Sequence, residues 1–258
     1  MKLNFKSYGT EGDVVIILHG IFGMLDNWHS FATQLSRDFR VFTLDHRNHG
    51  RSPHSESFTY EDMVDDLKEF ITERGFDHVS LIGHSLGGKT AMHFALEYPD
   101  LVDRLIVLDI GIKMYPQRHD YIFDALYGMD LSRFSSRNEI DEYLSESIHS
   151  FPIRQFLMKN IHRDAEKRFS WKMNLPVIRD HYDVLSEGIN SHVTFPKQTL
   201  FIRGANSSYV LSEDMGEIKK IFPLAGLKTI PGASHWLHAE KPYELLKLVQ
   251  IFLGEQAS

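Results

Sequence analysis

A run of β-forming residues, Val79-Ser80-Leu81-Ile82, leads into Gly83-His84-Ser85-Leu86-Gly87-Gly88-Lys89-Thr90, and helix-forming residues follow from Ala91 to Glu97. A strand that gives way to a helix across so short a turn predicts a β-turn-α unit of a parallel sheet, because parallel strands are joined by helical crossovers. The turn has two chemical readings. Gly83-His84-Ser85-Leu86-Gly87 fits G-x-S-x-G, a strained elbow that lifts a serine above the sheet while the glycines let strand and helix approach. Gly83 to Thr90 also fits G-x-x-x-x-G-K-[ST], a loop whose backbone N–H groups and lysine, here Lys89, would cradle phosphates. Under that second reading Asp109, which ends the run Leu105 to Leu108, would help to hold magnesium.

The rest of the chain decides between them. Strands are expected over Lys2 to Tyr8, Val14 to Leu18, Arg40 to Leu44, Val79 to Gly83, Leu105 to Leu108, Lys197 to Arg203 and Leu227 to Ile230. Helices alternate with them. One is capped by Asp26 or Asn27 and runs to about Asp38; another runs from Thr59, an N-cap with Asp62 at the third helical position, to about Arg74. A helix from Ser212 to about Phe222 and a last one from Pro242 complete the alternation. Between 112 and 195 the rhythm breaks into several helices with one extended piece, Phe169 to Asn174, and a high content of aromatic residues and methionine. These features predict an α/β core formed by residues 1–111 and 196–258, with 112–195 as a helical lid or cap insert.

The chain has 258 residues, 42% of them hydrophobic, which suits a globular protein with a sizeable core. A formal charge of −7 and the absence of a Lys/Arg run argue against a nucleic-acid surface. No stretch approaches the roughly 20 apolar residues that cross a bilayer, and the N-terminal residues lack the apolar run of a signal peptide. A soluble cytoplasmic protein without membrane insertion is expected. There is no cysteine, which excludes disulfides and thiolate metal sites. The histidine pairs His46/His49 and His235/His238 lie in expected loops and form no H-E-x-x-H motif, so no metal is expected.

In open parallel sheets, ligands bind beyond the carboxyl ends of the strands. Those ends carry His19-Gly20, Asp45-His46, Ser85, Asp109, the segment Gly204-Ala205-Asn206-Ser207 and His235. The order Ser85, Asp109, His235 is the serine, acid, histidine order of an α/β-hydrolase, whereas a phosphate loop explains neither His235 nor His19-Gly20. With His19-Gly20-Ile21-Phe22-Gly23, Asp45-His46-Arg47-Asn48-His49-Gly50-Arg51-Ser52 and Gly232-Ala233-Ser234-His235-Trp236, the chain resembles the α/β-hydrolases, and within them the bacterial YbfF-type esterases.

The resemblance implies the α/β-hydrolase fold: a mostly parallel sheet flanked by helices, with a helical lid inserted between the sixth and seventh strands. It also implies a Ser-His-Asp triad that needs no cofactor. Ser85 is the expected nucleophile and His235 its general base. The expected oxyanion donors are the backbone N–H groups of Leu86 and Ile21, with Phe22 as the alternative to Ile21. His19 is expected to brace that loop, and Asp45 to Ser52 to act as scaffold. The acid departs from the common pattern. Most α/β-hydrolases place it after the second-last strand, where this chain has Ser207 and no carboxylate before Glu213. The branch resembled here takes it from the preceding strand end, which is Asp109, leaving Ser207 to help orient the imidazole. The expected activity is hydrolysis of small to medium acyl esters through an acyl-enzyme. The alternatives are a thioesterase acting on acyl-CoA or other thioesters, a carbon–carbon bond hydrolase, a nucleotide-binding protein, or a non-catalytic member of the fold.

Overall fold

The computed structural model describes residues 1–116 and 120–254, so 117–119 of the expected insert and 255–258 of the expected core lie outside the described residues. The strands are β1 (Phe5–Tyr8), β2 (Val14–Leu18), β3 (Arg40–Leu44), β4 (Val79–His84), β5 (Val102–Leu108), β6 (Ile161–Arg163), β7 (Phe169–Trp171), β8 (Thr199–Gly204) and β9 (Ala225–Ile230). The helices are α1 (His29–Leu35), α2 (Tyr60–Glu73), α3 (Leu86–Glu97), α4 (Asp120–Tyr127), α5 (Arg137–Ser145), α6 (Phe151–Met158), α7 (Leu175–Asp180), α8 (Tyr182–Ser186), α9 (Met215–Ile221), α10 (Leu237–Glu240) and α11 (Pro242–Gly254).

Seven strands form one sheet in the order β1-β3-β2-β4-β5-β8-β9. Among the described residues, β1 is the one strand of this sheet that runs antiparallel, against β3; the sheet's other pairings are parallel. The apolar runs of β2, β4 and β5 are buried on both faces, as Val/Ile/Leu-rich strands of a covered parallel sheet require. Their side chains divide by the two-residue pleat. Ile16, Leu18, Leu81, Leu105 and Val107 pack with α3 residues Phe94 and Ala95, while Val15, Ile17, Ile82 and Ile106 pack with Leu35 of α1 and Val249 of α11. Helices therefore cover both faces, and β4 lies at the centre. Among the described residues no helix is long and apolar enough to cross a membrane.

Local chemistry sets the helix starts. Thr59 Oγ1 accepts from Asp62 N–H at 3.2 Å and Asp62 Oδ2 accepts from Thr59 N–H at 3.1 Å, a reciprocal cap on α2. Neither Asp26 nor Asn27 caps α1. Residues Leu25–Trp28 form a 3₁₀ turn in which Asn27 Oδ1 accepts from Met24 N–H, and α1 starts only at His29.

Residues between β5 and β8 hold α4 to α8 and a small hairpin of β6 with β7. These segments therefore leave after the fifth strand of the sheet and return at the sixth, not between the sixth and seventh as expected: the chain ahead of β2 supplies one strand, β1. The expected extended piece is β7. Its partner β6 escaped notice because Ile161-His162-Arg163 is too short to show alternation. Ile122, Phe123, Leu157, Ile178 and Leu185 from this region form a third core, which closes over Ile21, Phe22 and Leu86 at the carboxyl edge of the sheet.

Candidate active site

Ser85 sits between β4 and α3 with φ 52° and ψ −115°, a left-handed backbone that serine adopts only under restraint. Two bonds supply it. Ser85 N–H donates to Leu108 O at 3.1 Å, and Lys89 N–H donates to Ser85 O at 3.0 Å. Gly87 permits the close crossing, since a Cβ there would stand 2.4 Å from Leu18 O. The hydroxyl of Ser85 is thereby presented to a narrow, solvent-connected pocket with about 430 Å³ of empty space, part of it open to solvent, whose wall includes Ile21, Leu86, Tyr182 and Leu185.

Asp109 stands at the end of β5, fully buried, with φ 50°. Its N–H donates to Ile202 O at 2.8 Å, which ties it to β8. One carboxylate oxygen, Oδ1, accepts from Gly204 N–H at 3.0 Å. The other, Oδ2, faces His235 Nδ1 at 2.8 Å and also accepts from the Ser207 hydroxyl. A carboxylate only accepts, so His235 carries its hydrogen on Nδ1 and directs Nε2 outward. The imidazole stacks on Tyr209 with centroids 4.0 Å apart, and Ser234 beside it is held by Glu240 through bonds of 2.6 and 2.8 Å. Among the described residues no hydrogen bond joins Ser85 Oγ to His235, whose polar contacts run to Asp109 and His84.

The loop after β2 approaches Ser85 from the other side. Gly23 N–H donates to Gly20 O at 2.9 Å, closing a turn with Ile21 and Phe22 at its centre, and Phe22 has φ 60°. Gly20 is required: a Cβ would lie 2.8 Å from His84 Nδ1 and 3.2 Å from Ser85 Cβ. His19 braces the loop. Its Nδ1–H donates to Gly20 O at 2.8 Å and its Nε2 accepts from His46 N–H at 3.0 Å, an arrangement that only the neutral ring can make. Burial pushes His19 down to about 4, which keeps it neutral. Leu86 is the first residue of α3, so its N–H has no acceptor within the helix.

This chain and its fold have relatives. The alpha/beta hydrolase fold family matches residues 13–242. The chain belongs to the α/β-hydrolase family. It is 32% identical to Esterase YbfF of Escherichia coli over 99% of this chain and 100% of that protein. It is 38% identical to the sn-1-specific diacylglycerol lipase ABHD11 of Mus musculus, over 93% of this chain and 80% of the relative. A solved structure described as a marine microorganism esterase superposes with a TM-score of 0.94 at 41% identity, covering 97% of this chain and 99% of the other.

Membership of the α/β-hydrolases removes the phosphate-loop alternative. Lys89, which would have held phosphate, is buried and donates to the carbonyls of Ser186, at 3.4 Å, and Glu187. One other expectation needs adjustment, while the Asp45 to Ser52 segment has the contacts of a scaffold. Ser207 contacts Asp109 rather than the imidazole it was expected to orient. Arg47 is held in the Asp45 to Ser52 segment by Asp66 at 2.6 Å and Asp62 at 2.6 Å, and the Asp45 carboxylate accepts from Leu25 N–H at 2.7 Å and Arg51 N–H at 2.9 Å.

Three contributors went unread in the sequence. His84 is buried beside Ser85, with its Nε2–H donating to His235 O at 2.9 Å, and burial holds it well below the usual histidine range. Tyr209 backs the His235 ring. Asn160, from the turn between α6 and β6, donates through Nδ2 to Phe22 O at 2.6 Å. No local pattern marks Asn160 or Tyr209. His84 lies inside G-x-S-x-G, at a position the motif leaves open.

Proposed function

We propose that this α/β-hydrolase is a serine carboxylesterase acting on small to medium acyl esters through an acyl-enzyme. The observation that carries the reading is Ser85 in a left-handed elbow on a pocket, with His235 Nδ1 held at 2.8 Å by the buried Asp109. The names of the relatives, esterase and lipase, agree with it.

In this reading Ser85 Oγ attacks the ester carbonyl while His235 Nε2 takes its proton. The carbonyl oxygen becomes an oxyanion and accepts from the N–H groups of Leu86 and Ile21, with Phe22 next in the same turn. The carbon–oxygen bond to the alcohol then breaks, and the alcohol leaves with the proton that His235 returns. Water repeats the sequence on the acyl-enzyme and frees the acid. Asp109 stabilises the imidazolium at each proton transfer. Residues 112–195 act as a cap over the acyl group, supported by their packing on Ile21 and Leu86. The same steps cleave a thioester, so acyl thioesters belong in the substrate screen.

Purified wild type should hydrolyse 4-nitrophenyl butyrate and react with a fluorophosphonate at a single site. Ser85→Ala should lose both, with turnover down by at least about 10³-fold and the thermal midpoint little changed. A folded Ser85→Ala protein that retains turnover would sink the proposal.

A further inference from the structure

Lys89 is 1% exposed and lines the pocket that holds Ser85. It lies three residues beyond Leu86 on α3, so both belong to one helix face. Among the described residues no carboxylate pairs with it. Its ammonium donates to the backbone carbonyls of Ser186 and Glu187 and stands 5.1 Å from the Tyr115 ring centroid and 5.9 Å from that of Tyr60. Both phenols are already committed to backbone oxygens, Tyr60 to Leu185 O at 2.7 Å and Tyr115 to Tyr209 O at 2.5 Å.

An ammonium has three N–H donors, and the two carbonyls account for two. The exposed Glu187 carboxylate acts on this cation only from beyond ion-pair reach; its direct contacts are neutral, and a buried cation so placed carries a desolvation penalty that a contacting anion relieves. Burial lowers Lys89 to about 8, so it is still mainly charged at neutral pH. A simple alkyl chain filling this pocket would leave that charge unpaired. A chain ending in an anion would not.

Resting on the hydrolase reading above, we propose that Lys89 recognises the far end of the acyl group, and that the preferred substrates are half-esters or half-thioesters of short dicarboxylic acids. The free carboxylate would sit against Lys89 while the ester carbonyl lies at Ser85.

Monoethyl glutarate and ethyl 5-oxohexanoate test this, because the second replaces the free carboxylate with a methyl ketone of nearly the same shape. Wild type should favour the half-ester in kcat/KM by at least about tenfold, the order expected of a hydrogen bond between charged groups. Lys89→Met should abolish or invert that ratio. Lys89→Gln, which keeps N–H donors for the Ser186 and Glu187 carbonyls, should also lose the ratio, whereas a lysine that only latches the insert would leave it intact. Equal rates on both esters in wild type, a preference for the ketone, or a preference that survives in either variant overturns the inference while leaving the hydrolase reading in place. If neither ester is cleaved and a fluorophosphonate leaves Ser85 unlabelled, the hydrolase reading fails and this one fails with it.

Discussion

Ser207 donates its hydroxyl to Asp109 Oδ2, the same oxygen that faces His235 Nδ1 at 2.8 Å. The hydroxyl therefore reaches the imidazole indirectly, through this carboxylate and through Tyr209, whose N–H donates to Ser207 Oγ at 3.3 Å and whose ring stacks on His235, while Gly204 N–H holds the second carboxylate oxygen at 3.0 Å. Three donors, Gly204 N–H, the Ser207 hydroxyl and His235 Nδ1–H, converge on this buried carboxylate. This arrangement makes the two side chains unequal.

Asp109→Asn should lower kcat by at least about 10²-fold, because an amide cannot balance the imidazolium and disturbs its tautomer. Ser207→Ala removes one donor of several and should cost less than about tenfold. Ser207→Asp should by itself be damaging, since it sets a second carboxylate against a buried one, yet restore part of the activity of Asp109→Asn. Steady-state kinetics on the four proteins decide. Near-normal turnover in folded Asp109→Asn would remove Asp109 from the triad.

Asn160→Ala should lower kcat by about tenfold or more with a smaller change in KM. Its Nδ2–H holds Phe22 O at 2.6 Å, and so holds the turn that carries the proposed oxyanion donors. Affinity for a trifluoromethyl ketone, which forms an oxyanion at the same place, should fall in parallel. Unchanged affinity with reduced kcat would mean that Asn160 acts elsewhere.

Gly20→Ala should reduce kcat by about 10²-fold. The new methyl group would meet His84 Nδ1 at 2.8 Å and Ser85 Cβ at 3.2 Å, so the loop must retreat from Ser85. Fluorophosphonate labelling should slow to match. Wild-type labelling would show that the loop absorbs a methyl without moving its donors.

Acid should destabilise the fold through buried histidines. Burial pushes His19 to about 4 and His49 and His238 to about 3, and holds His46 and His84 well below their ordinary value of 6.5. As pH falls below 6.5 the unfolded chain takes up protons that the folded chain refuses, so stability is lost between about pH 6.5 and 4. Each such histidine contributes up to roughly 1.4 kcal/mol per pH unit. Urea midpoints across that range should fall steeply, and His49→Gln should make the slope shallower. A flat profile from pH 6.5 to 4 would contradict the neutral assignments.

The sequence by itself determined the frame. Apolar runs such as Val14 to Leu18 and Leu105 to Leu108 specify strands buried on both faces, and the turn from Gly83 to Gly87 specifies where strand becomes helix, because both depend on residues adjacent in the chain. The alternation of strands and helices that implies a parallel sheet, the α2 cap at Thr59 and the candidates at the strand ends were legible for the same reason. What only the tertiary structure decided are contacts between distant segments. Asn160 reaches Phe22 across 138 positions, His84 reaches the carbonyl of His235 across 151, and Lys89 meets Glu187 across 98. Hydrogen bonds act over about 3 Å and depend on direction. Separation along the chain carries no trace of them until packing brings those segments together.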